Sequence, residues 1–499
     1  MLTKIIIILF AIYSSVFAQR RETILTYDKY MERIESLIPE MKLTASIESN
    51  AYNDLIRAKS SGDVKFDLQA GAIGTQNYFE QYSVEQYIFL PQSTFRYNGF
   101  RIGAGFSGLI PYSGTRWAVK IQHDGYFGDF DSGNISFPFP TMPGFTWRFP
   151  SLRTNNFKYY SPSIKIEIAQ PILRDFFGKL DRYPIKDAEY QLTIAKLKRM
   201  IDDNSVLNSY RKLYYQWIMA RRLVSFYNDM IKGAKDFENR AKRGYTNGVI
   251  DNDSYQNAIR QTLKYIEARD EAEIVLKKVL RNIRFFIPET NTIPSERDWN
   301  NTLKNSMNAK IETVPFLESI QGQMAHQLKL RAEYGMTIIK NNSMPDLSIV
   351  GNLSLSALDD NGFFNSFASM TNLNYFVGLM FSYPIGGRDA KAKMMDAYAS
   401  LNAVSADYER VNRDYEIQIG IYYDEFQSYK KMLDIKKREI NAIVSKINTQ
   451  NEKFKQGRIP IDEIINSKLE LAKARAETLN LEYSIIRTVM DYNSLVMME

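Results

Sequence analysis

The 499-residue sequence contains no cysteine. That excludes a disulfide framework, a lipid-modified N-terminal cysteine and any thiol chemistry. Histidine is nearly absent too: His123 and His326 are the only two, and they stand far apart. No two-histidine metal motif on one helix exists, and each reads as an ordinary polar residue. A nucleotide-binding loop is missing as well, because Gly386-Gly387 is followed by Arg388-Asp389 and not by lysine with serine or threonine. The acidic pairs Asp202-Asp203 and Asp359-Asp360 read as solvated helix or loop positions. With no catalytic constellation, metal cluster or cofactor motif, the chain reads as a non-enzyme. After the first residues no run approaches the 18 apolar residues of a transmembrane helix. If the protein sits in a membrane, it does so as a β-barrel. Charge of one sign is lacking also: 64 basic and 57 acidic residues are mixed along the chain, for a net +7 without a polybasic run. This describes a solvated surface and no nucleic-acid patch.

What is present begins with an export signal. Lys4, the apolar Ile5 to Tyr13 and the small-residue site Val16-Phe17-Ala18 read as a signal peptide over residues 1–18. The apolar run is too short for a spanning helix, which needs about 20 residues. At 44% apolar and 13% aromatic, the rest of the chain is not disordered by composition and is long enough for about three ordinary domains.

An internal repeat organises it. Pro171 and Pro384 each close an alternating strand and precede a long helical stretch, first interrupted at Gly244 and at Gly457. Proline and glycine are 73 residues apart in both copies, and a second helix follows each glycine. Duplication of one unit, a β-hairpin joined to a helical hairpin, explains the order. In the second copy Leu347, Ile349, Leu353 and Leu355 alternate with Ser348, Asn352, Ser354 and Ser356, and the partner strand runs from Asn374 to Tyr383. In the first copy Phe66, Leu68 and Ala70 alternate with Asp67 and Gln69, and Ile164, Ile166 and Ile168 with Ser163, Lys165 and Glu167. Tilted strands crossing a bilayer have about this length and pattern. A soluble half-buried sheet has the same alternation. The helices separate the two. From Met394 to Phe454, apolar residues recur at steps of three and four, with slots lost to Lys436 or Gln450, and the following helix carries two stripes. Ile461, Ile465, Leu469, Ala476, Leu479, Tyr483 and Ile486 form one stripe; Leu471, Ala474, Leu481, Ile485 and Val489 form the other. Two seams make a stave between two neighbours. Arg388 to Gln456 as one helix would be ~100 Å long, with Gly420 its single internal hinge. Four strands cannot close a barrel, and open edges cannot face lipid. Spanning strands therefore require several chains to pool them; three would give twelve strands and twelve helical staves.

Taken together, these segments make the chain resemble the TolC-type outer-membrane efflux proteins over essentially its whole length after the signal. The resemblance rests on Met344-Pro345-Asp346-Leu347 opening a strand and Gln170-Pro171-Ile172-Leu173 closing one. Val377-Gly378-Leu379 leading to Pro384-Ile385-Gly386-Gly387, then Ala397 and Ala403, and finally Phe454-Lys455-Gln456-Gly457 with Asn466 behind it, complete the series. It implies an α+β membrane protein: a homotrimer whose β-barrel in the outer membrane of a diderm bacterium is continuous with a long α-helical barrel crossing the periplasm. The implied layout is an N-terminal helix (19–62), a first β-hairpin with a long insertion (63–171) and a first helical hairpin (172–286). An equatorial segment (287–342), a second β-hairpin (343–384) and a second helical hairpin (385–499) follow. The implied function is a passive exit duct of a tripartite efflux or type I secretion system, docking a periplasmic adaptor and an inner-membrane pump that supplies the energy. No nucleic acid and no cofactor enter. The competing reading is a periplasmic structural or adhesive coiled-coil protein without channel activity.

The helical turns at Gly244 and Gly457 are the expected periplasmic tips, glycine taking positive φ cheaply at a helix end. Asp251 and Asp253 after the first, and Asp462 and Glu463 after the second, sit at the next helix start, where an acid favours the dipole. Pure capping explains them equally well. The resemblance adds an acidic ring narrowing the tunnel, six and nine residues past the tip glycine. Those positions hold Glu463 and the amide Asn466, while Asp462, one residue earlier, faces ~100° away. Phe454 matches an aromatic position of the family's closing contacts without a hydroxyl. Arg458 is a candidate basic partner, one residue before its family counterpart, where Ile459 stands. The inter-strand insertion from Tyr78 to Tyr160 contains an expected hairpin: Ile102 to Ile110, a Pro111-Tyr112-Ser113-Gly114 turn, and Thr115 to Gln122. Extension of the barrel above the membrane, a cap on its mouth and a partner site remain open for this segment.

Overall fold

The computed structural model describes residues 23–79, 83–84, 88–89, 93–131, 135–138, 146–149, 153–289, 291–456 and 458–497. The expected signal peptide and Gly457 lie outside them. The chain opens with β1 (Thr23–Leu25), α1 (Tyr27–Leu37) and α2 (Pro39–Lys59), followed by β2 (Lys65–Phe79), β3 (Ser83–Val84) and β4 (Ile88–Phe89). Next come β5 (Ser93–Ile110), β6 (Thr115–Asp131), β7 (Ile135–Pro138), β8 (Thr146–Phe149) and β9 (Arg153–Pro171). The first helical pair is α3 (Tyr183–Thr246) and α4 (Asn252–Arg284), then β10 (Thr292–Pro294), α5 (Glu296–Asn308) and α6 (Ile320–Asn342). The second copy comprises β11 (Asp346–Ser356), α7 (Asn365–Ala368), β12 (Asn372–Ser382), α8 (Arg388–Lys455) and α9 (Ile461–Leu495). The chain divides into two compact units, one holding residues up to Asn50, Thr193–Gln327 and those from Ala406 on, the other Ala51–Leu192 and Leu328–Ser405.

The helical unit explains the two stripes of α9. Leu479 and Ile486 are buried with Tyr214, Tyr215 and Ile218 of α3 and with Val279 and Ile283 of α4. The other stripe, Ile485 and Val489, is buried with Tyr415, Ile419, Phe426 and Leu433 of α8. Each stripe thus has its own neighbour, and each fully buried side chain of this size contributes about 1.5–3 kcal/mol. Further along, Ile465 and Leu469 join Met230 and Ala234 of α3. Lys436, which interrupts the seam of α8, turns its Nζ to Glu477 at 2.6 Å and Glu439 at 2.8 Å. Gly420 produces no break in α8, which runs continuously from Arg388 to Lys455.

The expected single N-terminal helix is two. Ile38 is extended (φ −66°, ψ 116°), because the ring of Pro39 disfavours a helical conformation in the residue before it. β1 pairs in parallel with β10, and this corner is fastened by aromatic groups. Tyr214 Oη accepts the Ser295 N–H at 3.1 Å and lies 2.9 Å from the Leu25 carbonyl and 2.8 Å from Asp298 Oδ2. Trp299, fully buried, donates from Nε1 to Glu482 Oε2 at 3.1 Å.

In the other unit, one antiparallel sheet has the strand order β12-β11-β9-β6-β5-β2. Six strands stand where the two repeats led to four. The hairpin expected inside the insertion does not stand apart; β5 and β6 enter the sheet between β2 and β9. Alternation tells which face a residue takes and says nothing of which strand lies alongside, so sequence could find the hairpin but not its place. β3, β4, β7 and β8 form a separate four-stranded sheet.

The lower end of the sheet is tightly set. The β5–β6 turn uses Gly114 at φ +74°, and Gly178 at φ +62° approaches it so closely that a Cβ there would overlap the Pro111 carbonyl. Asp175 beside it accepts the N–H groups of Leu180 at 2.6 Å and Asp181 at 3.3 Å. Arg116 at the foot of β6 bonds Asp181 at 3.1 Å. Midway along β6, His123 is buried against Phe363 and Phe367, its Nε2 3.0 Å from Ser366 Oγ on α7.

Candidate functional site

The pleat gives the six-stranded sheet two chemically opposite faces. One row of paired residues reads Leu68, Ala104, Ile121, Ile164, Leu355 and Leu373 across all six strands. The adjacent row, on the other face, reads Asp67, Gly105, Lys120, Lys165, Ser354 and Asn374. Apart from the patch at His123 that Phe363 and Phe367 cover, the apolar face is open: Leu68 is 73%, Ile121 47%, Leu353 42% and Val377 75% exposed. An apolar surface of this extent is foreign to the exterior of a water-soluble monomer. It suits hydrocarbon, with the polar row facing water.

The polar face is organised around Asp124, whose side chain is 7% exposed. Arg101 grips it with Nε to Oδ1 at 2.9 Å and Nη2 to Oδ2 at 2.8 Å. Gln122 Nε2 donates to both oxygens at 3.0 Å and Tyr126 Oη to Oδ2 at 3.1 Å. A buried carboxylate is thereby fully partnered, as burial of charge demands. Lys120 pairs with Glu167 at 3.4 Å on the same face.

The candidate tip residues fall in the helical unit. Gly244 does not end its helix in the left-handed region. It is helical within α3, and its carbonyl accepts the Val249 N–H at 2.8 Å. The positive φ belongs to Gly248 at +69°, because α3 runs on to Thr246, past Gly244, before the chain reverses. Asp251 is the N-cap of α4, its Oδ1 accepting the Ser254 N–H at 2.8 Å. Hydrogen bonds from Ser254 hold its carboxyl below the usual range. Asp253 is exposed and accepts from Asn257 at 3.2 Å. Each acid thus bonds within its own helix. Tyr245 and Tyr255 stack across this tip, 5.5 Å apart.

At the second tip Phe454 is 42% exposed. The backbone N–H of Arg458 donates to the Lys453 carbonyl at 2.9 Å, and no ion pair of its guanidinium occurs among the described residues. A different arginine approaches the tip acids: Arg240 Nε, near the end of α3, lies 3.7 Å from Asp462 Oδ1, an ion pair without a hydrogen bond. That contact joins the two helical hairpins of one chain, and local pattern does not indicate it, because 240 and 462 lie in different copies of the repeat. Its one sequence signal is an arginine placed a single turn before Gly244. Glu463 and Asn466 are both exposed and, three residues apart, share a face of α9. A candidate for facing other molecules is thus the pair Glu463 and Asn466, whereas Asp462 is half-buried and turned toward Arg240.

No protein-family model matches the sequence, and no curated protein matches it. Solved structures do. The outer membrane channel CmeC of Campylobacter jejuni is 12% identical with a TM-score of 0.59, over 94% of this chain and 85% of that one. The open-state MtrE outer membrane channel of Neisseria gonorrhoeae is 11% identical with a TM-score of 0.61, over 94% and 88%. The outer membrane protein VceC of Vibrio cholerae is 11% identical with a TM-score of 0.56, over 93% and 95%. The chain is thus an α+β protein in which sheet hairpins and long helical hairpins alternate twice. Its fold is that of the TolC-type outer membrane channels.

Proposed function

We propose that the chain is one subunit of an outer-membrane exit duct, placed in the outer membrane of a diderm bacterium with most of its length in the periplasm. The observation that carries this reading is the continuous apolar face on one side of a sheet whose other side is polar and ion-paired. No helix among the described residues is long and apolar enough to cross a membrane, so lipid contact falls to the sheet. A single sheet leaves two edges, and edges cannot face hydrocarbon. Three copies closing on one another remove them, and in the same assembly the two-seamed helices would line a helical tube. Residues 172–286 and 385–499 are then the helical hairpins of the tube, 287–342 an equatorial segment, and the tips at 244–251 and 454–466 its periplasmic end. The duct is passive. A periplasmic adaptor and an inner-membrane pump supply partners and energy, in efflux or type I secretion.

The test is fractionation followed by reconstitution. A heat-modifiable trimer in the outer-membrane fraction that conducts in planar bilayers is the expected outcome. A detergent-free soluble monomer overturns the proposal and returns the chain to a structural coiled-coil role.

A further inference from the structure

We propose that the β5–β6 hairpin forms two additional membrane staves, so that three copies of this chain close an eighteen-stranded barrel in place of a twelve-stranded one. This rests on the three-copy duct proposed above. Four observations carry it.

The hairpin is interposed and not appended. Every residue of β2 pairs with β5, and β9 is reached from β2 only through β5 and β6. Removing the pair from the membrane would break both ladders and create two more edges in lipid.

Second, its turn lies at the end of the sheet where the helices begin. A Cβ on Gly62, three residues before β2, would stand 3.1 Å from Pro111 Cγ, and Gly178, just after β9, abuts the Pro111 carbonyl. The strands therefore run the whole height of the sheet, which an extension above the membrane would not do.

Third, the hairpin has a lipid-type face of its own. Ile102 is 44%, Phe106 51% and Ile121 47% exposed, on the face shared with Leu68 and Leu353. The opposite face carries the Arg101–Asp124 pair, so apolar-out and polar-in continue across the hairpin from its turn up to Ile102 and Ile121. At the next position of β6 on the apolar face, His123, the sheet is covered by Phe363 and Phe367.

Fourth, the edges fit. Six antiparallel strands leave β2 and β12 running in opposite directions, so β12 of one copy can pair antiparallel with β2 of the next. An odd number of strands per chain would not allow this closure. Barrel diameter grows roughly linearly with strand number, and barrels of 16–18 strands enclose an aqueous channel. The outer pore would be about half as wide again as a twelve-stranded one.

The cysteine-free chain permits a direct test on the full-length protein in phosphatidylcholine proteoliposomes. Single cysteines at I102C, I121C and L353C, each carrying a bimane label, are exposed to lipid bearing a nitroxide at mid-chain. K120C serves as the polar-face control with a water-soluble maleimide. The expected result is quenching at I102C and I121C equal to that at L353C, with K120C reacting from water and unquenched. Quenching at L353C alone, with I102C and I121C open to the water-soluble reagent, overturns the eighteen-stranded barrel and leaves the duct standing. Absence of quenching at L353C as well overturns both. A strand count of twelve by electron cryomicroscopy of the assembled protein would overturn it independently.

Discussion

The guanidinium of Arg101 meets the carboxylate of Asp124 through two parallel bonds, Nε to Oδ1 at 2.9 Å and Nη2 to Oδ2 at 2.8 Å, across neighbouring strands. Because Asp124 is the buried member and Arg101 is 37% exposed, the pair is asymmetric. Arg101→Leu strands a buried charge and should destabilise the folded protein by about 3 kcal/mol, at the low end for broken buried pairs. Replacing both residues with leucine should recover most of that loss, since no unpaired charge remains. Urea unfolding into lipid vesicles measures both. Equal destabilisation of the single and double variants would show that the pair contributes through packing alone.

The two glycines of the first tip separate by conformation. Gly248 sits at φ +69°, where an L-residue costs roughly 1–2 kcal/mol. Gly244 is helical, and a Cβ there would meet Ile250 at 3.4 Å, an ordinary contact. Gly248→Ala should therefore loosen the tip, while Gly244→Ala should tighten it by roughly 0.5–1 kcal/mol. Hydrogen exchange of the amides at 247–252 reads the difference. Greater loss at Gly244 than at Gly248 would contradict it.

That reversal shows where sequence reading stops. The 73-residue spacing locates the first tip, but the conformation within it depends on how far α3 runs past its glycine, to Thr246, which the spacing does not carry. Periodicity also supplied the seams of α8 and α9, because every buried position of a stave repeats at the same interval and a long run averages out lapses such as Lys436. The apolar strand faces were legible for the same reason. What could not be read were neighbours distant in the chain. The Ile121–Ile164 pairing that seats the hairpin in the sheet, and the Arg240–Asp462 contact, are set by topology, to which local pattern is blind. The break at Ile38 is a local effect of Pro39 and so is legible in the sequence, although the apolar pattern on either side of it suggests one N-terminal helix.

The foot of the sheet should respond to pH. Burial, together with the hydrogen bond and charge of Asp175, pushes the Asp181 carboxyl up to about 6, against the pull of Arg116. A raised folded-state value means that the folded protein holds this proton more tightly than the unfolded chain. The resulting stabilisation is fully present below the ordinary 3.8 and is lost as pH rises through about 6. Asp181→Asn abolishes that loss. The variant's midpoint temperature, relative to wild type, should climb between pH 4 and 6 and level off above. A difference that stays flat over this range would show that Asp181 titrates normally.

Two neighbouring acids at the second tip should prove to do different things. Asp462 lies 3.7 Å from Arg240 and so links the end of α3 to the start of α9. Glu463 is exposed and shares its side of α9 with Asn466, free to face other copies in an assembled tube. An exposed acid repeated around a constriction concentrates cations and favours block by divalent ions. Glu463→Lys should weaken that block in planar bilayers while leaving the tip closed. Asp462→Asn should leave block intact and raise the resting conductance, because it releases a contact between hairpins and touches no ring. The paired variant Arg240→Gln should reproduce the Asp462→Asn effect and not the Glu463→Lys effect. Undiminished block in Glu463→Lys would remove Glu463 from any ring, and a resting conductance unmoved by both Asp462→Asn and Arg240→Gln would show that this ion pair does not hold the tip.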